Sequence, residues 1–391
     1  MKQAVILAAG EGQRLRPFTV TKPKTMLSIG DKPILAYVVE SLAQNGIRNI
    51  VLVVGYKREQ VFDYMGSGEQ FGINVTYVTQ ERQLGTAHAL AQAQEAVGDE
   101  FLVLPGDNII EADTIARFAA AKPEAVLVKR VDNASRYGVV TVERGAMKNI
   151  REKPEETQSS LINTSIYAFS REVFSFIESE LDLPNVLNNM VTQGKHINAH
   201  VTDYTWLDIV YPWDLLSVNG AILDKIPASV DGTIESGVLL NGVVAVGRDT
   251  VIRSNSYIVG PVVIGEGCEI GPNVCILPAT SIAKNVVISP FTEIKNSVIG
   301  DDVTIGSGSI IEDSVIDKGC VISGHFIACS GEAEIKIDNE HHLVNMGAML
   351  GESCSLGSSV VAHPGTIVGN YSQIQALKLI NGRLPDRSLV L

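Results

Sequence analysis

Two hydrophobic rhythms divide the chain. Through about residue 225, short apolar runs alternate with stretches of helical period. Gln3–Ala8, Asn49–Val54, Asn74–Val78, Phe101–Leu104 and Ala125–Lys129 read as buried strands, followed by Val139–Val142, Thr164–Phe169 and His196–Thr202. Pro33–Asn45, Arg58–Met65, Thr86–Val97, Ile110–Ala121 and Tyr211–Leu223 read as helices. Such alternation predicts an α/β layered sheet. After Lys225–Gly232 the period becomes six. All eight residues taken at sixth positions from Ile252 to Ile294 are isoleucine, and the phase extends back through Val246, Leu240 and Ile234. A one-residue slip carries it through Ile299, Ile305 and Ile311; another phase runs Ile310, Ile316, Ile322, and a last one runs from Leu350 to Ile380. A six-residue period predicts a triangular parallel coil in which each short strand forms one side. The repeat breaks between Ala328 and Met349 at a more polar excursion. There His341 and His342 read as solvated loop residues, with no further ligands at a metal-site spacing.

Composition sharpens this division. The 391 residues carry a formal charge of −13, are 45% hydrophobic and only 19% charged, so disorder is excluded. An acidic chain lacks the cationic surface that nucleic acid binding requires. No apolar run is long enough to span a bilayer, and the run Ala4–Ala9 is too short for a signal peptide. The five cysteines form no CxxC pair, which argues against a zinc ribbon or a disulfide scaffold and for a reducing, cytoplasmic setting. Cys268, Cys320 and Cys354 each stand four residues after a coil aliphatic, a position for small inward side chains. Of the 22 aromatics only 4 fall after residue 226, as a narrow prism demands. The expected domains are therefore 1–226 and 227–391.

Candidate chemistry clusters in the first of these. The first strand runs into Ala9-Gly10-Glu11-Gly12-Gln13-Arg14, a glycine-rich turn whose backbone can approach phosphate closely. It is neither a Walker loop nor a dinucleotide fingerprint, because no GK[ST] follows and Leu15 stands at the third glycine position. The strand Phe101–Leu104 leads to Pro105-Gly106-Asp107, a carboxylate at the carboxyl end of a strand, where open α/β sheets bind ligands.

The order L-A-A-G-x-G-x-R-L-x-P at Leu7–Pro17, then Lys22-Pro23-Lys24, then Lys32-Pro33, resembles the signature of the sugar-1-phosphate nucleotidyltransferases. A left-handed parallel β-helix of hexapeptide repeats is a common C-terminal partner of their Rossmann-like catalytic domain, so the resemblance covers nearly the whole chain. It implies transfer of a nucleotidyl group from UTP or dTTP to a sugar 1-phosphate, glucose 1-phosphate or N-acetylglucosamine 1-phosphate, with release of pyrophosphate. Arg14 and Lys24 match the catalytic cations that hold phosphate oxygens. Ala9, Gly10 and Gly12 match the nucleotide-binding loop. Gln80, Gly85 and Thr86 match the base-reading segment, while His88 reads as a helix-surface residue. Asp107 and Asp208 match the Mg²⁺ ligands; Mg²⁺ prefers such oxygen donors. Gly138, Glu152, Lys153 and Asn163 match the sugar pocket.

The coil is similar to that of archaeal two-domain proteins, where it acetylates glucosamine 1-phosphate. Here Ser307 and Ile310 stand at that family's histidine and tyrosine positions and Cys329 at its asparagine. A general base is not replaced by serine. The resemblance thus implies a coil used for assembly as a homo-oligomer, a trimer or a multiple of it. Two alternatives remain: a bifunctional enzyme with an acetyl-CoA site in the coil, and a non-catalytic regulatory subunit. The joint presence of Arg14, Lys24, Asp107 and Asp208 argues against the second.

Overall fold

The computed structural model describes residues 1–157, 159–177, 180–338 and 340–391. The chain forms two compact units. One comprises residues 1–11, 22–26 and 34–208, the other residues 12–21, 27–33 and 209–391.

In the first unit the strands are β1 (Gln3–Ala8), β2 (Asn49–Val54), β3 (Asn74–Thr79), β4 (Glu100–Pro105), β5 (Asn108–Ile110), β6 (Ala125–Arg130), β7 (Gly138–Glu143), β8 (Ala146–Glu152), β9 (Leu161–Ser170), β10 (Asn198–Thr202) and β11 (Trp206–Asp208). Eight of them lie close to where the pattern predicts; β5, β8 and β11 were not expected, and β3, expected as a buried strand, is an edge strand with no buried residue. The helices are α1 (Ile34–Gln44), α2 (Arg58–Met65), α3 (Thr86–Gln92), α4 (Ala112–Phe118) and α5 (Leu183–Thr192). Two helices are shorter than expected. Beyond Gln92 the amides of Ala93, Gln94 and Ala96 turn to carbonyls three residues back, so the helix tightens and ends ahead of Gly98. Residues 108–110 join a ladder with residues 206–208 instead of opening α4. Helix α5 was not among the expected helices, although its buried Leu183, Val186, Leu187 and Met190 stand at helical spacing. Its Asn188 caps an edge, accepting from the Ile150 amide at 2.8 Å and donating to the Ile150 carbonyl at 2.9 Å.

The sheet runs β3-β2-β1-β4-β9-β6-β10-β8-β7. Strands β1 to β4 are parallel, and β9 returns antiparallel to β4. Apolar clusters cover both faces, one around Leu35, Leu52 and Leu104, the other around Val53, Phe101 and Leu187. The chain moves outward from β1 to β3 and then crosses back to place β4 on the other side of β1. That reversal makes the carboxyl ends of β1 and β4 a switch point, where ligands bind in open sheets.

The second unit is a three-sided coil of parallel sheets with 9, 9 and 8 strands. Ile252, Ile270, Ile288, Ile305, Ile322, Leu356 and Ile374 stack in register as one interior column, each no more than 3% exposed. Cys268, Cys320 and Cys354 are buried in the same core, as their spacing predicts. One phase assignment is corrected. Ile311 continues the column below Ile294, whereas Ile310 points outward, because each coil here closes in seventeen residues. The polar excursion is an antiparallel hairpin, Gly331–Ile337 with Glu340–Met346, and the coil resumes beneath it with Ala328 paired to Ala362. Another correction concerns the histidines. His341 is exposed beside Glu334, but His342 packs on the rings of Tyr211 and Trp213, with centroids 4.4 and 5.4 Å away. Helix α6 (Asp214–Leu223) belongs to this unit. Its fully buried Asn219 accepts from the Gly30 amide at 2.8 Å and donates to the Ala279 carbonyl at 2.9 Å. Among the described residues, no helix is long and apolar enough to cross a membrane.

Candidate active site

The centre of the site is built by the pairing of two short strands. β5 and β11 are antiparallel, with Asn108 opposite Asp208, so the neighbouring Asp107 lies beside Asp208 although a hundred residues separate them. Gly106 sets this corner. A Cβ there would stand 3.0 Å from Thr25 Cγ2 and 3.2 Å from Ala8 Cβ, and its amide donates to Leu7 O at 2.9 Å. The end of β4 is thereby pressed against the end of β1 and against the turn Lys24–Met26. Lys24 reaches both carboxylates: its Nζ bonds Asp107 and lies 3.6 Å from Asp208. Its side chain is only 14% exposed. Burial is the largest single influence on its pKa and acts downward. The charges and hydrogen bonds of Asp107 and Asp208 together outweigh it, so the pKa is raised and Lys24 is held as an ammonium.

A second cluster surrounds Gln80, which is 3% exposed. Its Nε2 donates to Gly85 O at 3.1 Å and lies 2.9 Å from His88 Nδ1. Gly55 lets this cluster meet the glycine-rich turn: a Cβ on it would lie 2.9 Å from Gln80 O and 3.0 Å from Ala9 Cβ. Ala9 is buried and Gly10 exposed at the end of β1. Gly85 adopts φ +145°, and a Cβ there would strike Leu181 O at 2.4 Å. The start of α3 is closed by the same segment. Asp182 accepts from the Thr86 amide at 3.4 Å, and Thr86 Oγ1 accepts from the Leu183 amide at 2.9 Å.

The third cluster lies where β7, β8 and β9 adjoin. Gly138 pairs with Glu152, and a Cβ on Gly138 would lie 2.9 Å from Glu152 Oε2 and 3.7 Å from Asn163 Cβ. Asn163 donates to Tyr167 Oη at 2.8 Å and accepts from the Ser165 amide at 3.0 Å. Burial first, with Glu152 and Asp182 nearby, pushes the Tyr167 phenol up to about 12, so it stays protonated. Lys153 is exposed with φ +38°, its amide donating to Tyr137 O. The Tyr137 ring in turn meets Trp206 edge-on at 5.8 Å, two residues from Asp208.

The structure thus brings together Lys24, Asp107 and Asp208; Ala9, Gln80, Gly85 and Thr86; and Gly138, Glu152 and Asn163. Gly12 and Arg14 fall in the other compact unit. There Arg14 Nε donates to Asp338 Oδ2 at 2.8 Å, both side chains being well exposed. That hydrogen bond raises the Arg14 pKa against a smaller effect of burial. Gly55, Thr25 and Asp182 were not singled out from the sequence, and His88 was read only as a helix-surface residue. The hydrogen bond of His88 to Gln80 corrects that reading.

The nucleotidyl transferase family model matches residues 3–225, more than half of the chain. The chain belongs to the nucleotidyl transferase family. A second model, the GMPPB C-terminal domain, matches residues 258–332. The bifunctional protein GlmU of Methanococcus maripaludis is 35% identical over 99% of this chain and 96% of its own length. A glucose-1-phosphate thymidylyltransferase of Streptomyces antibioticus is 32% identical over 72% of this chain and 82% of its own. A solved structure from Bacillus anthracis, assigned as a glucose-1-phosphate thymidylyltransferase and holding sucrose, superposes with a TM-score of 0.53 at 30% identity. It covers 58% of this chain and 97% of its own. The protein is a sugar-1-phosphate nucleotidyltransferase whose Rossmann-like domain is followed by a β-helix, as its motifs imply.

Proposed function

We propose that the transferred group is uridylyl or thymidylyl, from UTP or dTTP, and that the acceptor is glucose 1-phosphate or N-acetylglucosamine 1-phosphate. The catalytic apparatus then lies within residues 1–226 and the coil serves assembly. The observation that carries this reading is the Lys24 ammonium held by Asp107 and Asp208 at the end of β4. Two adjacent carboxylates and a fixed cation suit a centre where polyanions meet.

The donor set fits Mg²⁺: two hard carboxylate oxygens, with the remaining positions left to phosphate and water. Asp107 and Asp208 would hold it. When bound, the cation neutralises phosphate oxygens and lowers the charge barrier to their approach.

The remaining steps belong to the protein's own groups. Lys24 holds phosphate oxygens. Gln80 and Gly85 orient the base, and Gly138, Glu152, Lys153 and Asn163 orient the sugar. A phosphate oxygen of the sugar 1-phosphate attacks the α-phosphorus in line. The new P–O bond forms as the bond to pyrophosphate breaks, with no covalent enzyme intermediate. Positioning and charge stabilisation carry the rate.

Asp107→Ala should abolish pyrophosphate release and leave the circular dichroism spectrum unchanged. Full activity of that variant at ordinary Mg²⁺ refutes the metal assignment. A matrix of four nucleotides against several sugar phosphates identifies the substrates. The bifunctional name of relatives that span both units supports a second reading, acetyl transfer in the coil. Ser307 and Ile310 at the expected histidine and tyrosine positions weigh against it. Free thiol release from acetyl-CoA in the presence of glucosamine 1-phosphate decides the matter.

A further inference from the structure

The base-reading amide has a fixed polarity. Gly85 O can only accept, so the Gln80 atom 3.1 Å from it is the nitrogen. The other N–H of that nitrogen is directed at His88 Nδ1, 2.9 Å away. His88 Nδ1 must therefore accept, and the imidazole proton resides on Nε2. Among the described residues, these two donations are the hydrogen bonds of the Gln80 side chain. Its Oε1 is thus the atom it presents to a ligand. His88 itself is held by the start of α3, its amide donating to Leu181 O at 3.2 Å and its carbonyl accepting from Gln92 Nε2 at 3.2 Å.

We infer that His88 is a specificity-determining positioning residue: as an acceptor at Nδ1 it locks the Gln80 amide so that Oε1 faces the base. An acceptor there recognises a base whose ring nitrogen carries a proton, as in uracil and thymine. Cytosine offers an unprotonated nitrogen at the same position and is refused. The inference rests on the reading of Gln80 as the base contact. His88 touches neither base nor phosphate and acts only through Gln80.

The test is steady-state pyrophosphate release with UTP, dTTP and CTP for the full chain and for His88→Phe, His88→Asn and Gln80→Ala. Phenylalanine removes the acceptor and keeps the bulk; asparagine can restore an acceptor. In His88→Phe, kcat/KM for UTP and dTTP should fall about five- to tenfold, the range of one neutral hydrogen bond. The loss should lie mainly in KM, and the ratio of uracil to cytosine nucleotide should narrow by the same factor. His88→Asn should recover most of both, and it also serves if His88→Phe folds poorly. A loss shared equally by all three nucleotides overturns the inference, since a merely structural role predicts that result. So does an unchanged ratio in His88→Phe when Gln80→Ala collapses it; the base-reading role of Gln80 then survives. An unchanged ratio in Gln80→Ala removes that role, and the inference with it.

Discussion

Replacing Lys24 with methionine removes one charge and leaves an unbranched side chain one atom shorter. At 3.6 Å from Asp208, in a surrounding with an effective dielectric constant near 20, the gross attraction is about 4–5 kcal/mol. Desolvation of an ammonium that is only 14% exposed takes back much of it. The carboxylates are 26% and 21% exposed, so water screens part of the repulsion left behind. A net loss of about 1–3 kcal/mol follows, or roughly 3–10 °C in melting temperature for a unit of this size. The pKa of Lys24 is raised, so its stabilisation is fully present below the ordinary lysine value and is lost only as pH rises through the higher folded value. The melting difference between K24M and the parent should thus be constant from pH 6 to 9. Turnover should fall about 10²–10³-fold, the usual effect of removing one charge-stabilising group. Two carboxylates without their ammonium attract a cation more strongly, so added Mg²⁺ should raise the melting temperature of K24M more than that of the parent. Differential scanning fluorimetry with and without Mg²⁺, beside pyrophosphate release, reads all three. A variant with near-normal turnover, an unchanged melting curve and an unchanged Mg²⁺ gain refutes the assignment of this cluster as the reaction centre.

Three further substitutions separate the remaining parts. In Gly138→Ala the added Cβ meets Glu152 Oε2 at 2.9 Å and Ile150 Cγ2 at 3.3 Å. It should raise KM for the sugar phosphate about tenfold, or about 1.4 kcal/mol, and leave KM for the nucleotide unchanged; equal changes in both place Gly138 outside the sugar pocket. Ile288→Ala removes one member of the interior column and should cost about 2–5 kcal/mol in denaturant unfolding, whereas Val287→Ala beside it, 38% exposed, should cost well under 1 kcal/mol. Similar losses for the two argue against the in–out alternation along the coil.

The coil was the most legible part of the molecule because its interactions are periodic. Ile252 predicts Ile270 and Ile288 without knowledge of anything distant. The reading failed where the period itself changed. A seventeen-residue coil moves the interior position from Ile310 to Ile311, and adjacent isoleucines give no clue to which faces in. The strands β1, β2 and β4 were legible for a related reason, since both faces are covered and each reads as a continuous apolar run, whereas β3 at the sheet edge alternates and stays partly exposed. Helix α5 was missed although Leu183, Val186, Leu187 and Met190 keep the helical spacing; its asparagines lie off that apolar face, and Asn188 bonds the backbone of Ile150.

The site divides along the same line. Asp107 could be found by local argument, as a carboxylate ending a buried strand. Asp208 could not: only the resemblance named it, and its physical cause is the register of β5 on β11, a pairing between residues about a hundred positions apart. His88 shows the limit from the other side. Its motif was in view, but a histidine on a short helix is by itself most often a surface residue. What changes its meaning is one distance, 2.9 Å to Gln80 Nε2, together with a carbonyl on the other side that can only accept. Sequence supplies the donors and acceptors present. Which of them must donate is decided only once the fold fixes their neighbours, as it does for the Gln80 amide between Gly85 O and His88 Nδ1.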